Sequence, residues 1–133
     1  MSEENVQIYR RLLDMWNRGD FEGQLPYVAS DFEFNTARLF TDTRATYRGR
    51  EGWLDFWNTF RAAWETIDVA IDRIEDLGDT VLVLFTFFGK GRGSGVEVNV
   101  KYAHLAELRN GLVTHVRGFA DWAEALEAAG LPK

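Results

Sequence analysis

The stretch Ser94–Leu131, SGVEVNVKYAHLAELRNGLVTHVRGFADWAEALEAAGL, reads as two long paired strands running into a short capped C-terminal helix. Gly111 after Asn110 supplies the positive φ of a hairpin turn, either as a two-residue Asn-Gly turn or as the last residue of a three-residue loop from Arg109 with a bulge. The two loops differ by one residue of register, and that flips every side chain of one strand. The three-residue loop puts Tyr102, His104, Ala106 and Leu108 on one face with Leu112, Thr114, Val116, Gly118 and Ala120, leaving Glu107, Arg109, His115 and Arg117 on the other. It separates apolar from charged residues better, so it is the expected register. His104 then lies on the buried face opposite Val116 and diagonal to Gly118, where a missing side chain leaves room above the sheet. The expected hairpin and helix look like the closing half of a cone-shaped fold, with room for a small molecule between a curved sheet and its helices.

Working outward, Val6, Tyr9, Leu12, Leu13 and Trp16 recur at helical spacing, and Gly19 followed by Asp20 ends one helix and caps a short second one before Pro26. Asp31 to Thr36 alternates as a strand with Phe32, Phe34 and Thr36 on one face. The stretch from Ala37 to Arg48 reads as irregular, a candidate lid. Trp53, Phe56, Trp57, Phe60 and Trp64 form an aromatic stripe along the most amphipathic helix of the chain. Strands follow at Ile67 to Leu77, Thr80 to Lys90, Val96 to Arg109 and Leu112 to Ala120. Helices followed by a run of strands predict an α+β fold, a curved antiparallel sheet wrapped by three to four helices around an internal pocket.

Composition narrows the function classes. The 133 residues fit one domain spanning 1–133, with 46% hydrophobic and 14% aromatic residues, including five Trp and ten Phe. That ring surface exceeds what folding needs and points to an apolar cavity lining or a subunit interface. A net charge of −6 with interspersed signs offers no basic stripe to nucleic acid or to an anionic membrane. The lack of Cys removes disulfides, thiol nucleophiles and thiolate metal sites. Without a signal peptide or a long apolar run, a soluble cytoplasmic protein is the expectation.

NRGD closing the first helix, YRGREGW opening the aromatic helix, GRGSGVEV, LRNG and FADWAEALEAAGL together resemble the SnoaL-like branch of the nuclear transport factor 2-like superfamily over nearly the whole chain. The resemblance implies a cone-shaped fold whose members include polyketide cyclases, ketosteroid isomerases, dehydratases, epoxide hydrolases and proteins that only bind or dimerise, so it fixes no reaction. Laid against ketosteroid isomerases, the position of the carboxylate base is Thr36 and that of the oxyanion-hole tyrosine is Leu12. Gly118 falls where limonene epoxide hydrolases place one of two aspartates. Both mechanisms are disfavoured. His104 falls where the isomerases keep the strand acid that hydrogen-bonds the substrate oxygen.

His104 is therefore the catalytic candidate, as acid, base or oxyanion donor; the alternative is a core histidine satisfied by Tyr102, Tyr47 or a backbone carbonyl. Ligand contacts are expected from Trp16, Thr36, Tyr47, Trp53, Trp57, Phe60, Phe87, Tyr102, Val116 and Gly118. No cofactor is expected. No metal site is expected either, since His104 and His115 point to opposite faces in this register. Asp121 with Glu124 reads as a helix N-cap, and GKGRGSG as a hairpin loop, not a phosphate cradle. The strand from Thr80 is apolar on both faces, and Leu82, Leu84 and Phe88 suggest a homodimer packed sheet to sheet. Two functions remain: a small lyase, isomerase or cyclase acting on a ring-bearing or terpenoid-like molecule, or a dimeric protein that binds a hydrophobic metabolite without chemistry. A second proton-transfer group within reach of His104 would favour the enzyme.

Overall fold

A computed structural model describes residues 2–37 and 44–132. Helix α1 (Ser2–Arg18) buries Tyr9, Leu12 and Trp16 from the expected stripe. It ends where Gly19 takes φ 72°, with Gly19 N–H bonded to Trp16 O and Asp20 N–H to Met15 O. This paired closure needs a left-handed residue, which glycine adopts without strain. Asp20 then caps α2 (Phe21–Gln24), its carboxylate accepting from Gly23 N–H at 2.9 Å, and a single 3₁₀ turn (Leu25–Tyr27) leads into the sheet.

The sheet has six strands, β1 (Val28–Asn35), β2 (Thr46–Arg48), β3 (Trp64–Asp76), β4 (Thr80–Gly91), β5 (Glu97–Arg109) and β6 (Leu112–Phe119), in the order β2-β1-β6-β5-β4-β3. Helix α3 (Gly49–Ala63) and α4 (Trp122–Ala128) complete the α+β fold. The sheet is mixed, which corrects the expectation of an antiparallel one: β1 runs parallel to β6, Phe34 beside Val116. The strands from β3 to β6 are joined by short reversals and must alternate, whereas β1 reaches β6 through a long crossover that permits either direction. Strand β2 corrects part of the irregular reading of residues 37–48. Residues 38–43 of that candidate lid lie outside the described residues. Bulges between Trp64 and Thr66, between Ile71 and Arg73, and between Glu107 and Leu108 bend the sheet around its helices.

The β5–β6 hairpin takes the two-residue register at its turn and, past a bulge, a pairing that neither uniform register gives. Arg109 pairs with Leu112 across a two-residue turn, Asn110 at φ 54° and Gly111 at φ 79°. Thr114 then sits unpaired as a bulge, its hydroxyl donating to Glu107 O at 3.2 Å. Beyond the bulge the face shared by His104, Val116 and Gly118 is the one expected, but His104 stands opposite Gly118 and Ala106 opposite Val116. Below it, Val113 is the buried residue, in place of Leu112 and Thr114.

Two apolar layers flank the sheet. The concave face packs against α1 and α3, where Asn17 on α1 bonds both the N–H and the C=O of Val69 at 2.8 Å and so docks the helix on β3. On the convex face α4 lays Ala125 and Leu126 over Leu82, Leu84 and Ala103. The cover expected from a second subunit is thus supplied for Leu82 and Leu84 by the chain's own C-terminal helix. Phe88 stays 42% exposed.

Candidate functional site

A cavity of about 70 Å³ lies between the concave face of the sheet and helices α1 and α3. Seven of the expected ligand-contacting and catalytic residues line it: Trp16, Trp53, Phe60, Phe87, Tyr102, His104 and Val116. Four do not. The Thr36 hydroxyl donates to the Arg44 carbonyl. Tyr47 is buried between Phe34 and Phe56, its hydroxyl accepting from Arg44 N–H at 3.2 Å. Trp57, only 1% exposed, lies behind Trp16, ring centroids 4.6 Å apart, and against Phe21. Gly118 leaves no ligand space above the sheet: a Cβ there would lie 3.2 Å from the Ala37 nitrogen, so the chain leaving β1 occupies the room.

His104 projects from the middle of β5 into a ring of aromatics, edge-on to Phe34, Phe85 and Tyr102 at centroid distances of 5.4, 4.9 and 5.7 Å. Its Nδ1 lies 2.7 Å from the Tyr9 hydroxyl, donated from α1, 95 residues away in sequence. The sequence reading nominated Tyr47 and Tyr102 and missed Tyr9, which it counted as one more apolar position of the helix stripe. A signal was present: a tyrosine on a buried stripe carries a hydroxyl that must find a partner.

Burial fixes the protonation states. Desolvation drives the His104 pKa down to about 3 and that of Tyr102 up to about 12. Tyr9 is raised as well, by burial first and by the neighbouring Tyr102 second. All three are neutral at physiological pH. A phenol is the stronger donor and an unprotonated imidazole nitrogen the stronger acceptor, so we assign the Tyr9 O–H to donate to Nδ1, which places the imidazole proton on Nε2. Neither Nε2 nor the Tyr102 hydroxyl has a partner among the described residues, and neither is among the fully occluded unpaired polar atoms. His104 and Tyr102 therefore each bring an uncharged donor to a largely apolar wall. No carboxylate or ammonium is among the described residues lining it.

The sequence profile of the SnoaL-like domain family matches residues 9–116. This chain belongs to the SnoaL-like family. Its fold is similar to that of solved structures of low identity. A protein of unknown function from Burkholderia pseudomallei is 20% identical, with 93% of this chain and 95% of that one covered at a TM-score of 0.79. TerC, co-crystallised with polyporic acid, is 19% identical, with 96% and 98% covered at 0.79. A protein with a ketosteroid isomerase-like fold from Catenulispora acidiphila, in complex with trimethylamine, is 22% identical, with 94% and 93% covered at 0.74. No curated protein matches.

In this SnoaL-like domain the other polar candidates have structural work. Asp121 caps α4, accepting from Ala123 N–H at 2.9 Å. His115 lies on the convex side, its Nδ1 3.2 Å from Glu107 and its Nε2 against Asn35. The glycines of GKGRGSG close the β4–β5 reversal, Gly93 and Gly95 at φ 85° and 70°. No helix of the described residues is long and apolar enough to cross a membrane.

Proposed function

We propose that this SnoaL-like domain is a cofactor-independent enzyme of the isomerase, lyase or cyclase kind, acting on a small uncharged molecule whose carbonyl oxygen is held by His104. The Tyr9–His104 hydrogen bond at 2.7 Å inside a largely apolar cavity carries this reading. Tyr9 engages Nδ1 and leaves the proton on Nε2, and Tyr102 lines the same cavity. Two preorganised donors in a dry site stabilise charge that gathers on oxygen far better than water does. A neutral imidazole suits that role, because it donates without first losing its proton to solvent. At a pKa near 3 His104 is a poor base, so the reading favours oxyanion donation over proton abstraction.

Size narrows the ligand. At about 10–15 Å³ per water-sized group, the 70 Å³ cavity has room for roughly five to seven heavy atoms, below the range of about 300–1,000 Å³ usual for ligand pockets. A terpenoid-like molecule enters only if wall side chains move. The structures holding polyporic acid and trimethylamine support an organic ligand in this fold.

With a panel of small cyclic and unsaturated ketones, screened by tryptophan fluorescence and then by turnover, His104→Ala is expected to lower kcat by roughly 10²-fold with modest change in affinity. Tyr9→Phe keeps the ring and removes only the hydrogen bond, so its expected loss is about tenfold. Turnover that survives His104→Ala unchanged ends the catalytic assignment. A non-catalytic ligand carrier is the second reading, favoured by the lack of any charged group among the described lining residues; there only affinity responds to either substitution.

Assembly enters the proposal through the convex face. A homodimer there would cover Phe88, and Phe88→Arg should shift the sedimenting species to the monomer. A wild type already monomeric at micromolar concentration removes the dimer.

A further inference from the structure

We propose that Gln24 is a specificity-determining residue that selects a ligand hydroxyl, so that the molecule taken by the cavity is a small hydroxy-carbonyl compound. The inference rests on the cavity being the ligand site.

Gln24 is 1% exposed and lines the cavity where α2 closes against α1. Its Nε2 donates to Leu12 O at 2.7 Å. A carbonyl can only accept, so the amide cannot be turned around, and Oε1 must face away from Leu12. That oxygen is buried with no partner among the described residues. Trp16, one helical turn beyond Leu12, lines the same cavity and is 7% exposed, and its indole N–H is equally buried and unpartnered. Side chains on a helix lean toward its N-terminus, so the Trp16 ring covers the turn to which Gln24 is tied.

One unmade acceptor, on Gln24, and the unmade donors of Trp16 and Trp53 thus belong to residues of the cavity wall, and buried polar groups are costly to leave in that state. The group that answers both is a hydroxyl, which donates once and accepts up to twice. A carboxylate or a second ketone has nothing to donate to Gln24, an ammonium has nothing to accept from Trp16, and an alkyl group leaves both unmade. His104 Nε2 and the Tyr102 hydroxyl, both donors, call for the carbonyl.

Hydroxyacetone and butanone have the same heavy-atom count and the same carbonyl, and differ by a hydroxyl in place of a methyl. Each is titrated into the full chain while the Gln24 side-chain amide and the Trp16 indole are followed in ¹H–¹⁵N spectra. The wild type is expected to bind hydroxyacetone at least as tightly as the more hydrophobic butanone, with both probes shifting for hydroxyacetone and not for butanone. Gln24→Leu should move the affinity ratio about tenfold toward butanone. The wild-type shifts decide the question even where Gln24→Leu fails to fold. If both ketones bind and the ratio is unchanged in Gln24→Leu, Gln24 has no selective role and the cavity reading stands. If hydroxyacetone leaves both probes unmoved because an ordered water stays between them, the proposal is overturned. Binding of neither ketone overturns the proposal and the cavity reading together.

Discussion

Replacing Trp57 with alanine is expected to destabilise the fold by about 3–5 kcal/mol, the usual cost of emptying a fully buried aromatic site. Trp57 is 1% exposed and wedges Trp16 of α1 and Phe21 of α2 against α3, so no mobile neighbour is positioned to refill the space. The substitution joins three helices' worth of packing loss into one measurement, a lowered midpoint in chemical denaturation. Trp53→Ala is the informative contrast. Trp53 is half-buried, lines the cavity and meets Phe32 and Phe56, so its loss should weaken ligand binding more and stability less. An unchanged unfolding midpoint for Trp57→Ala would show that Trp57 does not hold the helices together.

Acid should weaken the protein through His104. Its pKa is about 3 in the folded chain and near 6.5 when unfolded, so between these values the unfolded chain binds a proton that the folded chain refuses. The stabilisation is complete above about pH 6.5 and is lost as the pH falls toward 3, reaching up to roughly 4–5 kcal/mol at about 1.4 kcal/mol per unit. His104→Gln removes the titration, so the difference in unfolding free energy between the two proteins should narrow with a slope of one proton across that window. Glu33, whose pKa is lowered by its hydrogen bond with Asn35 first and by Arg48, titrates alike in both proteins and cancels. Parallel pH profiles would mean that His104 is solvated in the folded state.

How far the sequence reached is clearest at the hairpin. Asn110-Gly111 announced the turn, and the apolar alternation placed His104 on the concave face. The bulge at Thr114 has no compositional mark, so neither uniform register described the pairing. Tyr9 illustrates a different limit. Helical spacing puts it on the buried stripe, but the partner of its hydroxyl lies on β5, and no local pattern connects α1 with that strand. Trp57 and Trp53 share the same helix and stripe, yet one faces the cavity and the other faces α1 and α2, a distinction set by crossing geometry that periodicity does not encode. Leu82 and Leu84 were correctly read as needing cover. The cover came from α4, which the sequence marked only as a short capped C-terminal helix.

The parallel seam between β1 and β6 has a consequence for biosynthesis. Phe34 and Val116 are neighbours in that seam, yet more than eighty residues of chain separate them. At about 5–20 residues per second, roughly 4–16 seconds pass on the ribosome between the two. Through that interval β1 has only the short β2 to pair with, and the wall that includes Tyr102, His104 and Val116 does not yet exist. Tyr9 waits longer still, since His104 follows it by 95 residues. Contacts of such separation make closure of the cone a late and slow event in folding. The nascent chain must therefore keep Trp53, Phe56 and Phe60 from other surfaces until its last strand arrives.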